Sequence, residues 1–365
     1  MNFGILHETN LNEKRVCLTP NGAHSLIKRG QDVIVQSGAG VASGFPDQQY
    51  LDKGAHIVFD AEEVYRRSDI LLKVLPLDHE ALENMVEGQT VLTFQHLSVS
   101  SPQVFAGLIE KKITLVGMEI MEEEDGTRPI LTIMSELAGQ TAPIIAGNYL
   151  GLDPKGRGVL LGSVPGVAPA SVVILGAGTV GTSAAKAFVG LGAQVHVLDN
   201  DIAQLRKIER LLGNRVTTIY ANQTTIEKTL GFADVVISAI LRRGALTPQL
   251  ITRAMIKGMK KQSIFIDFSV DEGGTSETTR PTHLSDPIYI DEGVIHYCVP
   301  NITSGISRTT SIALSNVLSK YLKEIAEHGI EKAIKDSHVL KKGLYTLKGR
   351  NMQPVLNRMF GIKIK

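Results

Sequence analysis

The segment Gly176-Ala177-Gly178-Thr179-Val180-Gly181 limits what this chain can fold into more than any other stretch. An apolar, β-branched run at 171–175 precedes it, and a run of helical character at 182–191 follows. Gly176 permits a tight turn, Gly178 leaves backbone bare where an anion would approach, and Gly181 lets the helix close on the strand. A second apolar run, 194–198, ends at Asp199, eighteen residues after Gly181. An acid at that place accepts hydrogen bonds from adenosine ribose hydroxyls and repels a 2′-phosphate. Asn200 and Asp201 follow, with no arginine close in sequence. A glycine turn alone says little; strand, turn, helix, strand and acid in this order predict a dinucleotide site made by Gly176, Gly178, Val180, Gly181 and Asp199. The expected cofactor is NAD, with FAD, which uses the same fold and acid, as the alternative on these residues.

The rest of the chain alternates in the same way. Strands are expected at 32–36, 69–74, 90–94 and 113–118, with helices at 22–29 and 102–111. A long apolar helix is expected at 135–150, with Ser135 as its N-cap and Glu136 in its first turn. Further strands are expected at 171–175, 194–198, 216–220, 235–240, 264–268 and 296–299, then an amphipathic helix at 308–328 and a tail with a Gly-rich turn and a basic end. Such alternation predicts α/β architecture with parallel sheets. Length agrees, since 365 residues exceed one small core. The expectation is two Rossmann-like domains with a cleft between them. A substrate domain would take 1–134 plus 307–365 and so be discontinuous; a nucleotide domain would take 135–306.

Composition narrows the partners. There are 38 basic and 37 acidic side chains, a net charge of +1. That balance argues against a nucleic-acid partner held by phosphate contacts. No uninterrupted apolar run reaches the ~18 residues of a membrane helix, and the first residues lack a basic n-region, so neither membrane nor signal peptide is expected. The two cysteines, Cys17 and Cys298, have no CxxC spacing, which predicts no disulfide framework, no Cys-based metal site and a cytoplasmic setting.

Several residues are candidates for chemistry. His96 ends the expected strand 90–94, and strand C-termini of a parallel sheet face the ligand crevice. A histidine there can act as acid or base near neutral pH; position alone reads equally as a loop histidine. Asp271 follows the expected strand 264–268 beside Gly273-Gly274, and reads equally as a turn residue. Asp267, inside that strand, reads as structural. Arg15 can hold a carboxylate by two parallel hydrogen bonds, although most arginines are solvated. Lys73 lies in an apolar run, so it must be paired or face the crevice. The acidic run 122–125 reads as a solvated turn. Together these residues predict dehydrogenation of a small carboxylate-bearing substrate.

Nearly the whole chain resembles the alanine dehydrogenase and nicotinamide nucleotide transhydrogenase family. The resemblance is most specific in EKRVCLTPNGAHSLIKRG, GAGVASGFPDQQYLDKGA, GRGVLLGSVPGVAPASVVILGAGTVG and RPTHLSDPIYIDEGVIHYCVPN. The sequence TFQHL places His96 at the dehydrogenases' catalytic histidine, which transhydrogenase subunits lack. The resemblance implies that Asp271 is the catalytic aspartate, that Arg15 holds the substrate carboxylate, that Asn301 lines the same pocket, and that Ser135 and Asp199 contact NAD. It implies reversible NAD-dependent deamination of L-alanine to pyruvate and ammonia by a homo-oligomer, commonly a hexamer, with no bound metal.

Three departures qualify it. The dehydrogenases typically read KVKEP where this chain has Lys73-Val74-Leu75-Pro76-Leu77, so Leu75 replaces a lysine that contacts substrate. Loss of a charge-assisted contact there costs about 1.5–3 kcal/mol. Strand alternation puts Lys73 on the same face as residue 75, so it can compensate if its side chain faces the cleft. Ile302-Thr303 and Ser307 stand where the family has Met-Pro and a second proline, which predicts a looser loop. The run 241–246 replaces a proline-containing stretch. Two other functions therefore compete: a dehydrogenase of another amino or imino acid, and a non-catalytic NAD-binding subunit of the transhydrogenase kind.

Overall fold

Short β-branched runs separated by helices leave each strand with two apolar faces to cover, and the chain solves this twice. The computed structural model describes residues 1–96, 100–241 and 246–360. The chain divides into two units, Met1–Met134 with Ile306–Lys365, and Ser135–Gly305.

The first unit begins with six strands, β1 (Asn2–Ile5), β2 (Asp32–Gln36), β3 (His56–Val58), β4 (Ile70–Leu72), β5 (Thr90–Thr93) and β6 (Thr114–Gly117). The second unit holds β7 (Ser171–Leu175), β8 (Gln194–Asp199), β9 (Val216–Tyr220), β10 (Val235–Ser238), β11 (Ile264–Asp267), β12 (Ile288–Asp291) and β13 (Val294–Tyr297). The chain then returns to the first sheet with β14 (Leu344–Leu347) and β15 (Arg350–Asn351). The first sheet runs β15-β14-β6-β5-β4-β1-β2-β3, and the second β12-β13-β11-β10-β7-β8-β9. β1 to β6 pair in parallel, while β14 is antiparallel to β6 and to β15. In the second sheet β12 alone runs antiparallel, against β13.

Parallel strands covered on both faces are buried throughout. Accordingly β4, β5, β6, β10, β11 and β13 have every residue buried. Helix starts follow the expected chemistry. Thr19 caps the helix Pro20–Ile27 by accepting from Gly22 N, and Ser101 caps Pro102–Glu110 by accepting from Val104 N. Both helices carry proline in the first turn, where its missing N–H has no intrahelical partner to lose. In each sheet the strand order reverses once, at β1/β4 and at β7/β10, and such switch points open a crevice at the strand C-termini.

One helix departs from expectation in where it starts. The helix set at 135–150 begins six residues earlier and spans Pro129–Ala146, followed by a π-helical stretch Gly147–Leu152. Pro129 is pre-set for a first helical position, so Ser135 lies inside the helix and is not its cap, and Glu136 is not in its first turn. The segment expected to loosen without its prolines is a 3-10 turn, Ile302–Ile306, with Ile302, Thr303 and Ser304 buried. The replaced run 241–246 lies mostly outside the described residues, and the described helices include none long and apolar enough to cross a membrane.

Within the second unit the helix Pro129–Ala146 packs against Thr179–Gly190 at Gly139. A Cβ there would sit 2.5 Å from Val180 O, 2.6 Å from Ser183 Cβ and 2.8 Å from Ala184 N. Gly139→Ala therefore forces backbone apart and is expected to destabilise by about 1–3 kcal/mol. Calorimetry should show Tm lowered by several degrees; an unchanged Tm would mean the helices do not meet there.

Candidate functional site

At the C-terminal edge of the first sheet, the segments after β1, β4, β5 and β6 carry Glu8, Lys73, His96 and Glu119 respectively. Glu8 is buried; its Oε1 accepts from Val74 N at 2.6 Å and its Oε2 from Lys73 Nζ at 3.1 Å. Lys73 is 8% exposed. β4 stops at Leu72, so strand alternation does not set the direction of Lys73, and its ammonium is neutralised by Glu8. Leu75 is half-buried and its carbonyl accepts the Thr93 hydroxyl at 2.6 Å.

Arg15 lies in the same neighbourhood, because Cys17, two residues on, donates its thiol to Lys73 O at 2.7 Å. The Arg15 guanidinium donates from Nε and Nη2 to both oxygens of Glu13, at 2.7 and 2.5 Å. Burial alone would lower its pKa, but the hydrogen bond and charge of Glu13, with Cys17 and Glu8 adding to them, outweigh this and the net shift is upward. Two buried cations thus face two buried carboxylates, as burial of charge requires. Glu8 and Glu13 were not singled out in the sequence. A glutamate two residues before a buried arginine is a weak local signal, and Glu8 meets Lys73 only across sixty-five residues.

His96 is half-buried, with φ +42, a left-handed backbone uncommon for a residue with a side chain. Glu119 holds it there. Its Oε1 accepts from His96 N at 2.8 Å and its Oε2 from Gln95 N at 3.2 Å. The Tyr345 hydroxyl, on β14, donates to Oε1 at 2.8 Å. Burial, followed by the Glu119 charge, pushes the Tyr345 phenol far up, so it stays a donor. A Cβ on Gly117 would lie 2.2 Å from the Tyr345 ring, so only glycine lets the tyrosine reach the carboxylate. The imidazole stacks on Phe94 with centroids 6.0 Å apart.

In the second unit the glycine turn follows β7. Gly176 has φ +100 and donates its N–H to Leu198 O at 2.7 Å. At Gly181 a Cβ would fall 1.8 Å from Gly176 O, whereas at Gly178 it would meet nothing within 4 Å. Space therefore opens over Gly178 at the start of the helix Thr179–Gly190, whose first N–H groups lack a side-chain cap. Val180 is half-buried in its first turn. Asp199, at the end of β8, accepts from Ala177 N at 2.7 Å and Asp201 N at 2.8 Å. A carboxylate has about four acceptor sites, so two remain for ribose hydroxyls. These residues fit a dinucleotide: bare backbone for the pyrophosphate, helix N–H groups, and a half-exposed acid.

Asp271 sits in a 3-10 turn, Val270–Glu272, just past β11, and Asn301 follows β13. The structure brings them together, with Asn301 N 3.5 Å from Asp271 Oδ2 and Asn301 itself at φ +50. Ser135 is half-buried within its helix.

Glycine turn, strand-end acids and two α/β units with mostly parallel sheets are the arrangement that dinucleotide-binding folds share. Residues 4–138 match the N-terminal domain, and 142–354 the C-terminal domain, described as alanine dehydrogenase/PNT. The chain belongs to that family. It is 40% identical to the alanine dehydrogenase of Methanococcus maripaludis over 96% of this chain and 94% of that one. Against the alanine dehydrogenase of Bacillus subtilis it is 37% identical over 99% and 95% of the two chains. A solved L-alanine dehydrogenase superposes with TM-score 0.93 at 35% identity, covering 99% of each chain. The transhydrogenase from Sinorhizobium meliloti shares the fold, with TM-score 0.82 at 24% identity over 97% and 100%.

The Lys73–Glu8 pair makes a stability prediction. Removing one member of a buried pair leaves an uncompensated charge and costs about 3–5 kcal/mol. Lys73→Met is expected to lose that much in urea unfolding, with Glu8 left as the orphan. A loss below about 1 kcal/mol would mean that water reaches the pair.

Proposed function

We propose that this chain catalyses the reversible, NAD-dependent oxidative deamination of L-alanine to pyruvate and ammonia. The observation that carries the cofactor assignment is the open space over Gly178 beside the half-exposed Asp199. The amino-acid assignment is supported by relatives named alanine dehydrogenase across almost the whole chain. In this reading Gly176, Gly178, Val180 and Gly181 bind the pyrophosphate, Asp199 the ribose, and Ser135 a further part of NAD. NAD, when bound, accepts a hydride from the α-carbon of alanine.

The chain's own residues do the rest. Arg15 holds the carboxylate, its guanidinium kept charged and oriented by Glu13. Asn301 supports the substrate next to Asp271. His96 and Asp271 exchange protons with the reacting water and nitrogen. Water adds to the imine carbon, the tetrahedral adduct expels ammonia, and the carbonyl of pyruvate forms. His96 suits this work because Glu119 fixes its backbone at the strand end while its ring stays half-exposed. The same reading assigns the nucleotide domain to 135–306, the substrate domain to the flanking segments, and the protein to a cytoplasmic homo-oligomer. Sedimentation would measure the assembly.

One observation favours a second reading. The ammonium of Lys73 lies 3.1 Å from Glu8 Oε2, so any charge it brings to a substrate in place of residue 75 is shared with that carboxylate. An amino or imino acid with a larger apolar side chain would suit Leu75 better than alanine, at some loss of carboxylate affinity.

The test is NADH formation with L-alanine and with a panel of larger amino acids. Preference for alanine supports the first reading, and preference for a branched or aromatic substrate the second. His96→Ala and Asp271→Asn are each expected to lower turnover about 10²–10⁴-fold; unchanged rates in both would remove their roles. Gly178→Val is expected to abolish NAD binding in calorimetric titration while leaving Tm unaltered, because the new side chain meets open space. Retained NAD affinity in that variant would overturn the nucleotide assignment.

A further inference from the structure

Asp267 ends β11 and is 2% exposed, too deep to touch a ligand. Its partners among the described residues are neutral donors. Oδ1 accepts from Ser269 N at 2.9 Å. Oδ2 accepts from Thr275 N at 2.9 Å and from the Thr279 hydroxyl at 2.7 Å. The Thr275 hydroxyl lies 3.2 Å from Oδ2 and 2.7 Å from Ser238 Oγ, at the end of β10. Burial raises the carboxyl's pKa, and these donors pull against it.

The donors bracket Asp271. Ser269 lies two residues before it and Thr275 four after, so the segment between them folds around one carboxylate. Gly274 shows how closely the backbone passes: its φ is +76, and a Cβ would lie 3.2 Å from Asp267 Oδ2 and 2.4 Å from Thr279 Cγ2. Further bonds tie the outside of the loop, from Thr247 N to Glu272 O at 2.8 Å and from Leu250 N to Thr275 O at 2.9 Å.

We infer that Asp267 is the positioning residue that fixes the Asp271 turn, an inference that rests on the role given to Asp271 above. The requirement is for a carboxylate. Each oxygen receives one backbone N–H, one from either side of the turn. An asparagine has a single acceptor oxygen, so its amide nitrogen would face either Ser269 N–H or Thr275 N–H, donor against donor. The turn must then move on one side of Asp271. A displacement of about 1 Å at a reacting group costs on the order of 10²-fold in rate.

The test uses the full-length protein with NAD and its best amino acid. Asp267→Asn is expected to lower kcat about 10- to 100-fold, with KM for the amino acid and Kd for NAD within twofold of wild type. In the double variant with Asp271→Asn, the residual rate should match that of Asp271→Asn alone, because Asp267 acts through Asp271. Thr279→Val removes one hydroxyl donor and keeps both backbone bonds. It should lower kcat severalfold with KM unchanged, and it decides the matter if Asp267→Asn does not fold.

Wild-type kcat in the Asp267→Asn or Thr279→Val variant overturns the inference. So does a rise in KM without a fall in kcat, or losses that multiply in the double variant. These results leave the role of Asp271 standing if Asp271→Asn is itself impaired. Wild-type turnover in Asp271→Asn would instead sink that role, and the inference with it.

Discussion

A backbone N–H that leaves a parallel sheet must find an acceptor, and in this chain carboxylates supply it after β4, β5, β7, β8 and β11. Glu8 takes Val74 N–H, Glu119 takes those of Gln95 and His96, Asp199 those of Ala177 and Asp201, and Asp267 those of Ser269 and Thr275. Each acid meets the first residues after a strand, where the sheet ladder no longer serves them. The loops leaving the strands are thereby fixed, and the functional candidates ride on those loops. Hydrogen bonds to a charged acceptor contribute roughly 1.5–3 kcal/mol each, enough to hold strained backbone such as His96 at φ +42.

Such acids carry charge into the protein, and the two units neutralise it differently. In the first, Glu8 meets Lys73 and Glu13 meets Arg15, while Glu119 meets backbone N–H groups and the Tyr345 hydroxyl. Those pairings decide how much positive charge is left for an anionic substrate. Arg15 presents a planar guanidinium to Glu13, whereas Lys73 presents a point charge to Glu8. In the second unit the partners of Asp267 among the described residues are neutral donors, and burial raises its pKa.

The sequence made the second unit more legible than the first. Gly176 to Gly181 and Asp199 were readable because their chemistry is local: a turn, a close approach and an acid, all within one βαβ span. His96 and Asp271 could be placed at strand ends, but what holds them could not be read. Glu119 is twenty-three residues from His96, and Tyr345 is 226 residues from Glu119, distances no periodicity spans. β12 went unseen because Ile288–Asp291 is a half-exposed edge, and β14 because four residues before a Lys-Gly turn resemble a tail. Ser135 reads as a cap in the sequence, but Pro129 starts the helix early. Lys73 looks mid-strand in the sequence because the apolar run outlasts the strand that it forms.

The return of β14 to the first sheet has a consequence for how the protein is made on the ribosome. The Ser135–Gly305 unit is continuous and can close as soon as it emerges. The first unit cannot: β6 keeps an open edge until Leu344–Leu347 has been synthesised, and Tyr345 reaches Glu119 only then. During translation the earliest-made part of the chain therefore finishes last, with an unpaired strand exposed for most of that time.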